Sequence, residues 1–300
     1  MGVGVRRTRL HRRRLEHVVG RAHRTIARRV RGSPASLRRS HRVTSRLYRD
    51  EAVVIRSYKL GEADRIVVML TRENGKVRAV AKGVRKTHSK FGGRLEPLSH
   101  VAVQIHRGTN LDVVNQVETI DSSGRMFGDL DVMTEGLAVL EAIDQLVPDR
   151  EPVPEIFRML VGVRKTLAER PSALVVPAFL LRLLASEGVR PELDRCVVCG
   201  EVESESTPLV AIDLERGGVQ CRGCRSGVGV TSGALALLRD VLDGRLGEAL
   251  DRAHRPGEQV LDDPVVVEVA SIATRAFEFH VERRLRSVAI FERHDARSDS

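Results

Sequence analysis

The sequence predicts an α+β chain in which a small five-stranded β-barrel comes first and a helical domain carrying a four-cysteine module comes second. Three observations predict it. Apolar residues recur with period two in short runs between Asp50 and Thr119, as half-buried strands require. After Phe127 the apolar spacing lengthens to that of a helix. The four cysteines fall in two C-x-x-C pairs separated by twenty-one residues. Residues 47–127 are read as the barrel, residues 128–300 as the helical domain with the cysteine module at about 193–228, and residues 1–46 as a leader apart from both.

The leader holds fifteen arginines against one acid, Glu16, for a net +14. The formal charge of the whole chain is +10, so residues 47–300 sum to −4 and the high pI belongs to the leader. It lacks the apolar core of a secretory signal. Three readings are open: a disordered nucleic-acid-binding arm, an organellar presequence, or a stretch upstream of the natural start. The last is preferred, because domain-like patterning begins abruptly at Leu47. The remainder divides into +5 for residues 47–127 and −9 for residues 128–300, a basic module ahead of an acidic one.

Strands are expected at Glu51–Tyr58, Asp64–Thr71, Gly75–Lys82, His100–Arg107 and Leu111–Thr119, with turn residues at "LGEA", "ENG" and "GTN" between them. Five short strands in so few residues fit a closed or partly open barrel, of which the oligonucleotide-binding (OB) fold is the commonest version. Between the third and fourth strands lies "KGVRKTHSKFGGRLEP", with no acid before Glu96. Lys82, Arg85, Lys86, Lys90 and Arg94 are expected to line a groove on the barrel, with Arg65, Lys76 and Arg78 on neighbouring strand edges. Such charges neutralise phosphates and release condensed counterions whatever the base sequence. Phe91 or Tyr58 is expected to stack on a base. The blander alternative is a solvated loop whose charge aids solubility; its place in a barrel favours binding. His88, His100 and His106 are read as surface or core-edge residues rather than ligands.

In the second half, Leu130, Thr134, Leu137, Leu140, Ile143 and Val147 are expected on one buried helical face, and Ile156, Leu160, Val163 and Leu167 on a second. A third helix is expected over Ala173–Ser186. A long one is expected over Asp263–Arg293, with Val267, Ala270, Thr274, Phe277, Val281 and Leu285 inward. No apolar run approaches the ~18–20 residues of a membrane-spanning helix, so no membrane association is expected.

Cys196, Cys199, Cys221 and Cys224 offer two thiolate pairs from two tight turns, enough to complete a tetrahedral shell around one structural zinc ion. The intervening "PLVAIDLERGGVQC" reads as a hairpin turning at "RGG". A closed four-sulfur site stabilises rather than catalyses. A redox dithiol at Cys196 and Cys199, or paired disulfides, are the alternatives. Reduced thiols and no signal sequence point to the cytoplasm. No enzyme activity is expected. The carboxylate pairs Glu62 and Asp64, Asp129 and Asp131, and Asp262 and Asp263 read as turns or helix N-termini, and no P-loop, G-x-S-x-G or HExxH motif is present.

The stretch "LYRDEAVVIRSYKLGEADRIVVMLTRENGKVRAVAKGVRKTHSKFGGRLEPL" resembles the opening of the RecO family of bacterial recombination mediators, in its barrel start, its "GEAD" turn and its "KG-R…S-FGG-L-P" loop. The "CVVCG…CRGC" segment resembles the zinc-bearing branch of that family. The resemblance runs from residue 47 to about 293. It implies an OB domain, then a helical domain with an inserted zinc module. It further implies binding of single- and double-stranded DNA, annealing of complementary strands, and loading of RecA onto DNA covered by single-strand-binding protein. The implied partners are RecR, the C-terminal tail of single-strand-binding protein, and RecF; the family works in the cytoplasm, at the nucleoid, without nucleotide hydrolysis. The family's DNA-contacting loop maps onto Lys82, Arg85, Lys86, Lys90 and Arg94, and its zinc ligands onto the four cysteines. The helical domain, with its −9 charge, is expected to serve packing and protein contacts, with Arg164 or Arg182 forming local positive pockets. An RNA-binding or translation-associated barrel with a zinc ribbon is the competing reading.

Overall fold

The computed structural model describes residues 46–121, 126–253 and 263–287; the arginine-rich leader, but for Arg46, lies outside them. Five strands, β1 (Leu47–Leu60), β2 (Asp64–Thr71), β3 (Gly75–Ala81), β4 (His100–His106) and β5 (Asp112–Asp121), close into a barrel in the order β1-β2-β3-β5-β4. β1 is longer than its alternation suggests because it serves two neighbours. Leu47–Val53 pair with β4 and Ala52–Leu60 with β2, and a register irregularity between Val54 and Arg56 bends the strand from one to the other. The ring closes through a short parallel contact, Ala79 against Asp112 and Val80 against Val113.

The apolar runs of β1 and β2 are buried on both faces. Ala52, Val54, Val67 and Met69 point into the barrel with Val77, Val103 and Ile105, while Val53, Ile55, Val68 and Leu70 join the core of the helical domain. Both sides of these strands are therefore apolar, which is why "AVVI" and "IVVML" read as unbroken runs.

The helical part comprises α1 (Leu130–Leu146), α2 (Pro154–Glu169), α3 (Val175–Ser186), α4 (Ser232–Leu242), α5 (Leu246–Ala253) and α6 (Pro264–Val281). Between α3 and α4 a three-stranded sheet, β6 (Leu209–Asp213), β7 (Gly218–Cys221) and β8 (Val228–Gly229), is inserted in the order β7-β6-β8. The carboxylates of Asp129 and Asp263 cap α1 and α6 by accepting first-turn N–H groups.

Two helical faces differ from the expectation. In α1 the buried residues are Val132, Glu135, Gly136, Ala138, Val139, Leu140, Ala142 and Ile143, while Leu130 and Leu137 are exposed. Gly136 belongs to the inward face because a Cβ there would stand 2.7 Å from the Leu98 side chain. In α6, Val266, Val269, Ile272, Ala273 and Phe277 face inward and Val267 is exposed. Valines on several sides of that helix leave its register ambiguous in sequence. α6 also stops at Val281, where Glu282 turns left-handed at φ 53°, well short of Arg293, which lies outside the described residues. Helices α4 and α5 lie outside the helices the sequence predicts; both are short, and α4 follows the cysteine module directly with α5 after it.

Candidate nucleic-acid interface and metal centre

The basic loop is built as successive tight turns. Lys86, Ser89 and Gly92 each donate their N–H to the carbonyl three residues back, and Gly83 and Gly92 supply positive φ, 69° and 53°. Both ends are fastened to the barrel. The Gly83 N–H donates to Asp64 Oδ1 at 2.7 Å and the Arg85 N–H to the Ala63 carbonyl at 3.0 Å. At the far end the Leu98 N–H donates to the Val54 carbonyl, and the Val54 N–H to the Ser99 carbonyl, across the β1 irregularity. Asp64 thus spends its charge on holding the loop, an anchoring role that "GEAD" read as a turn does not include.

Lys82, Arg85, Lys86, Lys90 and Arg94 are solvent-accessible, and none forms an ion pair among the described residues. Arg85, Lys90 and Arg94 donate instead to the carbonyls of Gly61, Asn115 and Lys90. These bonds fix the side chains without cancelling their charge. Lys59, also exposed and paired in register with Arg65 on β2, lies beside the same turn and escapes the sequence reading; a lone lysine ending a strand carries no signal of its own.

Five expected roles, those of Phe91, Lys76, Arg65, Arg78 and Arg164, need correction. Phe91 is 1% exposed and packs with Leu95 into the barrel interior, so it anchors the loop and offers no face to a base; Lys90 Nζ lies 4.9 Å from its ring centroid. Lys76 is buried, and its Nζ donates to the Asp144 carbonyl at 2.7 Å, with the Asp144 and Asp149 carboxylates near. It joins barrel to helices instead of meeting phosphate. Arg65 pairs with Glu96 at 2.9 Å, and Arg78 with Asp149 at 3.1 Å, so native carboxylates already match both. Tyr58 is half-buried with the Arg56 guanidinium 5.1 Å from its ring centroid. Arg164 forms no surface pocket: it is 1% exposed and its Nε donates to the Leu98 carbonyl at 2.6 Å. His100 is buried against Glu51 at 2.7 Å.

The four cysteine sulfurs gather within 4.8 Å of one another. A zinc–sulfur bond of ~2.3 Å gives a tetrahedral sulfur cage edges of ~3.8 Å. Cys199 Sγ and Cys221 Sγ stand 3.8 Å apart, and all four residues are free thiols. Gly200 at φ 79° lets the first knuckle fold back, its N–H donating to the Cys196 carbonyl. Burial alone would raise the Cys196 thiol, but N–H groups of Cys199, Cys221 and Val198 bring it down to about 6. Neighbouring sulfurs push Cys224 up to about 12. So much thiol crowded together cannot ionise fully without a cation between the sulfurs, and the donor set fits a metal ion.

A family model described as recombination protein O N terminal matches residues 45–123, and one described as recombination protein O C terminal matches residues 128–289. The chain belongs to the recombination protein O family. This membership gives it a role in DNA recombination and repair, with DNA and the recombination machinery as partners in general. The first match spans the barrel and its basic loop, and the second spans α1 to α6 and the cysteine sheet. This decides between the recombination and translation-associated readings of a barrel with a cysteine ribbon. No helix among the described residues of this chain is long and apolar enough to cross a membrane.

Proposed function

We propose that this member of the recombination protein O family binds single- and double-stranded DNA through the loop of Lys82, Arg85, Lys86, Lys90 and Arg94, and anneals complementary strands there. The observation that carries the reading is that these five cations are accessible and unmatched by any described carboxylate, on a loop fastened by Asp64 and Phe91. Two strands repel through their phosphates. A fixed cationic surface lowers that barrier and leaves base edges free to pair. No bond-making step is needed, so the protein is proposed to be no enzyme; its four free thiols support action in the reducing cytoplasm.

With RecR, and with RecF, it loads RecA onto DNA covered by single-strand-binding protein. The groove between α2 and α3, with Arg158 and Arg182 at its rim and Met159, Val163 and Phe179 in its floor, has the chemistry for that protein's acidic C-terminal tail. The cysteines hold one zinc ion, which when bound supplies the positive charge that keeps four thiolates together; the chain's own part is to pin β6, β7 and both knuckles as one body.

Annealing of complementary oligonucleotides precoated with single-strand-binding protein, monitored by fluorescence, tests this. Lys86→Ala/Lys90→Ala is expected to slow annealing at least about fivefold. An unchanged rate would remove the loop from the reaction.

A further inference from the structure

The helical half carries a net −9 by sequence, yet one cleft on it is rimmed by arginine. The C-terminal end of α6 and the turn after it meet the β8 edge of the cysteine sheet in an open cleft of about 460 Å³, lined by Leu214, Val228, Arg275, Phe279, Arg283 and Arg284 together with Glu278 and Glu282. Arg275 and Phe279 share the outward face of α6, one turn apart, about 6 Å along the axis. Phe279 is 51% exposed, a large ring left in water with no core to join. Arg275, Arg283 and Arg284 are exposed and form no ion pair among the described residues. Two acids share the lining with the three arginines, so the cleft carries a net +1; Glu278 is held by the Leu285 N–H at 2.9 Å without losing its charge. Arg225, exposed on the cysteine module, lies near Gly229 of β8.

We propose that this cleft is a second single-strand contact, in which Arg275, Arg283 and Arg284 neutralise phosphates and Phe279 stacks on a base. The inference rests on the annealing role proposed above, since a protein that joins two strands gains from holding both at once. Cations spaced along an open rim with an exposed aromatic ring between them suit a polyanion whose every unit presents a flat face. An acidic peptide with an apolar end needs an enclosed socket, and here the apolar lining among the described residues is Leu214, the edge residue Val228 and the exposed Phe279 ring.

The test uses the full chain, a labelled oligothymidylate strand, and energy transfer to a second, non-complementary strand as a measure of two-strand capture. In Arg275→Ala/Arg283→Ala/Arg284→Ala, first-strand affinity is expected to stay within about twofold of wild type. Two-strand capture is expected to fall roughly tenfold, with a salt slope for the second strand shallower by about two, three contacts at about 0.7 each. Phe279→Ala is expected to act in the same direction with an unchanged melting temperature. Undiminished capture in both variants overturns the proposal. So does equal loss of first-strand affinity, or a labelled acidic peptide losing its binding in the triple variant while oligothymidylate keeps its own. If Lys86→Ala/Lys90→Ala abolishes annealing and the triple variant does not impair capture, the loop reading stands and this one falls. If wild type anneals nothing, the loop reading falls, and capture still decides this one.

Discussion

Lys86 stands in solvent on the loop, whereas Lys76 buries its ammonium against the Asp144 carbonyl and the carboxylates of Asp144 and Asp149. Lys76→Ala should therefore lower stability by about 1–3 kcal/mol, because it leaves buried acceptors without their donor, and leave oligonucleotide affinity unchanged; Lys86→Ala should do the reverse. Denaturant titration beside an anisotropy titration separates the two. In sequence these lysines look alike. What differs is whether the helical domain lies over the strand, and local pattern does not report that. Glu135 poses a similar problem: it sits on the inward face of α1 with no partner for Oε2 among the described residues. Burial first, then the charges of Asp131 and Asp129, push its carboxyl up to about 8 from 4.5. The folded state thus holds this proton more tightly than the unfolded chain. Stability should fall as pH rises between about 4.5 and 8, the window those two values set. Glu135→Gln should match wild type near pH 4.5 and exceed it at pH 8 by on the order of a few kcal/mol. Parallel pH-stability curves would count against the buried carboxyl.

At the scale of elements, the loop was legible because its composition is extreme: basic residues, glycines and no acid before Glu96. Its fastening was not. Asp64 and Phe91 act through contacts distant in sequence, and an aromatic among lysines reads equally well as a stacking platform or a plug. The buried Phe91 ring and the Asp64 hydrogen bond make the loop a preset surface, so the charges act additively. Lys86→Ala/Lys90→Ala should weaken binding of all sequences alike and flatten the salt slope by about 1.4, two contacts at about 0.7 each. A slope unchanged from wild type would show that these two lysines touch no phosphate. The strands are readable as short apolar runs between turn residues even where, as in β1 and β2, both faces are buried, and the helices where a single stripe is apolar. In α6, "VVVEVA" offers several equivalent stripes, and only packing against α3 and α4 selects among them.

At the scale of the whole molecule, the cysteine site was the most legible feature, since two C-x-x-C pairs define a cage without further context. Its strands carry Leu209, Ile212 and Val219 into the same core as α1 to α6. Cys199→Ser should therefore release metal, measured by elemental analysis, and broaden the thermal transition of the helical part; retained stoichiometric metal would count against the four-sulfur cage. The joint between barrel and helices was the least legible, because each polar link pairs residues far apart in sequence: Arg56 with Asp144, Arg78 with Asp149, Arg164 with Leu98.

Asp112 belongs to that joint. It has no exposed surface, and it accepts from Tyr48, from the Gly108 N–H and from the forked guanidinium of Arg150. It also sits at the two-residue seam where the barrel meets itself. Severed from the carboxy-terminal half, the amino-terminal ring would keep a poorly matched anion at its own fastening point and gape there. The two halves are thus not interchangeable parts: the clasp of the first is worn by the second.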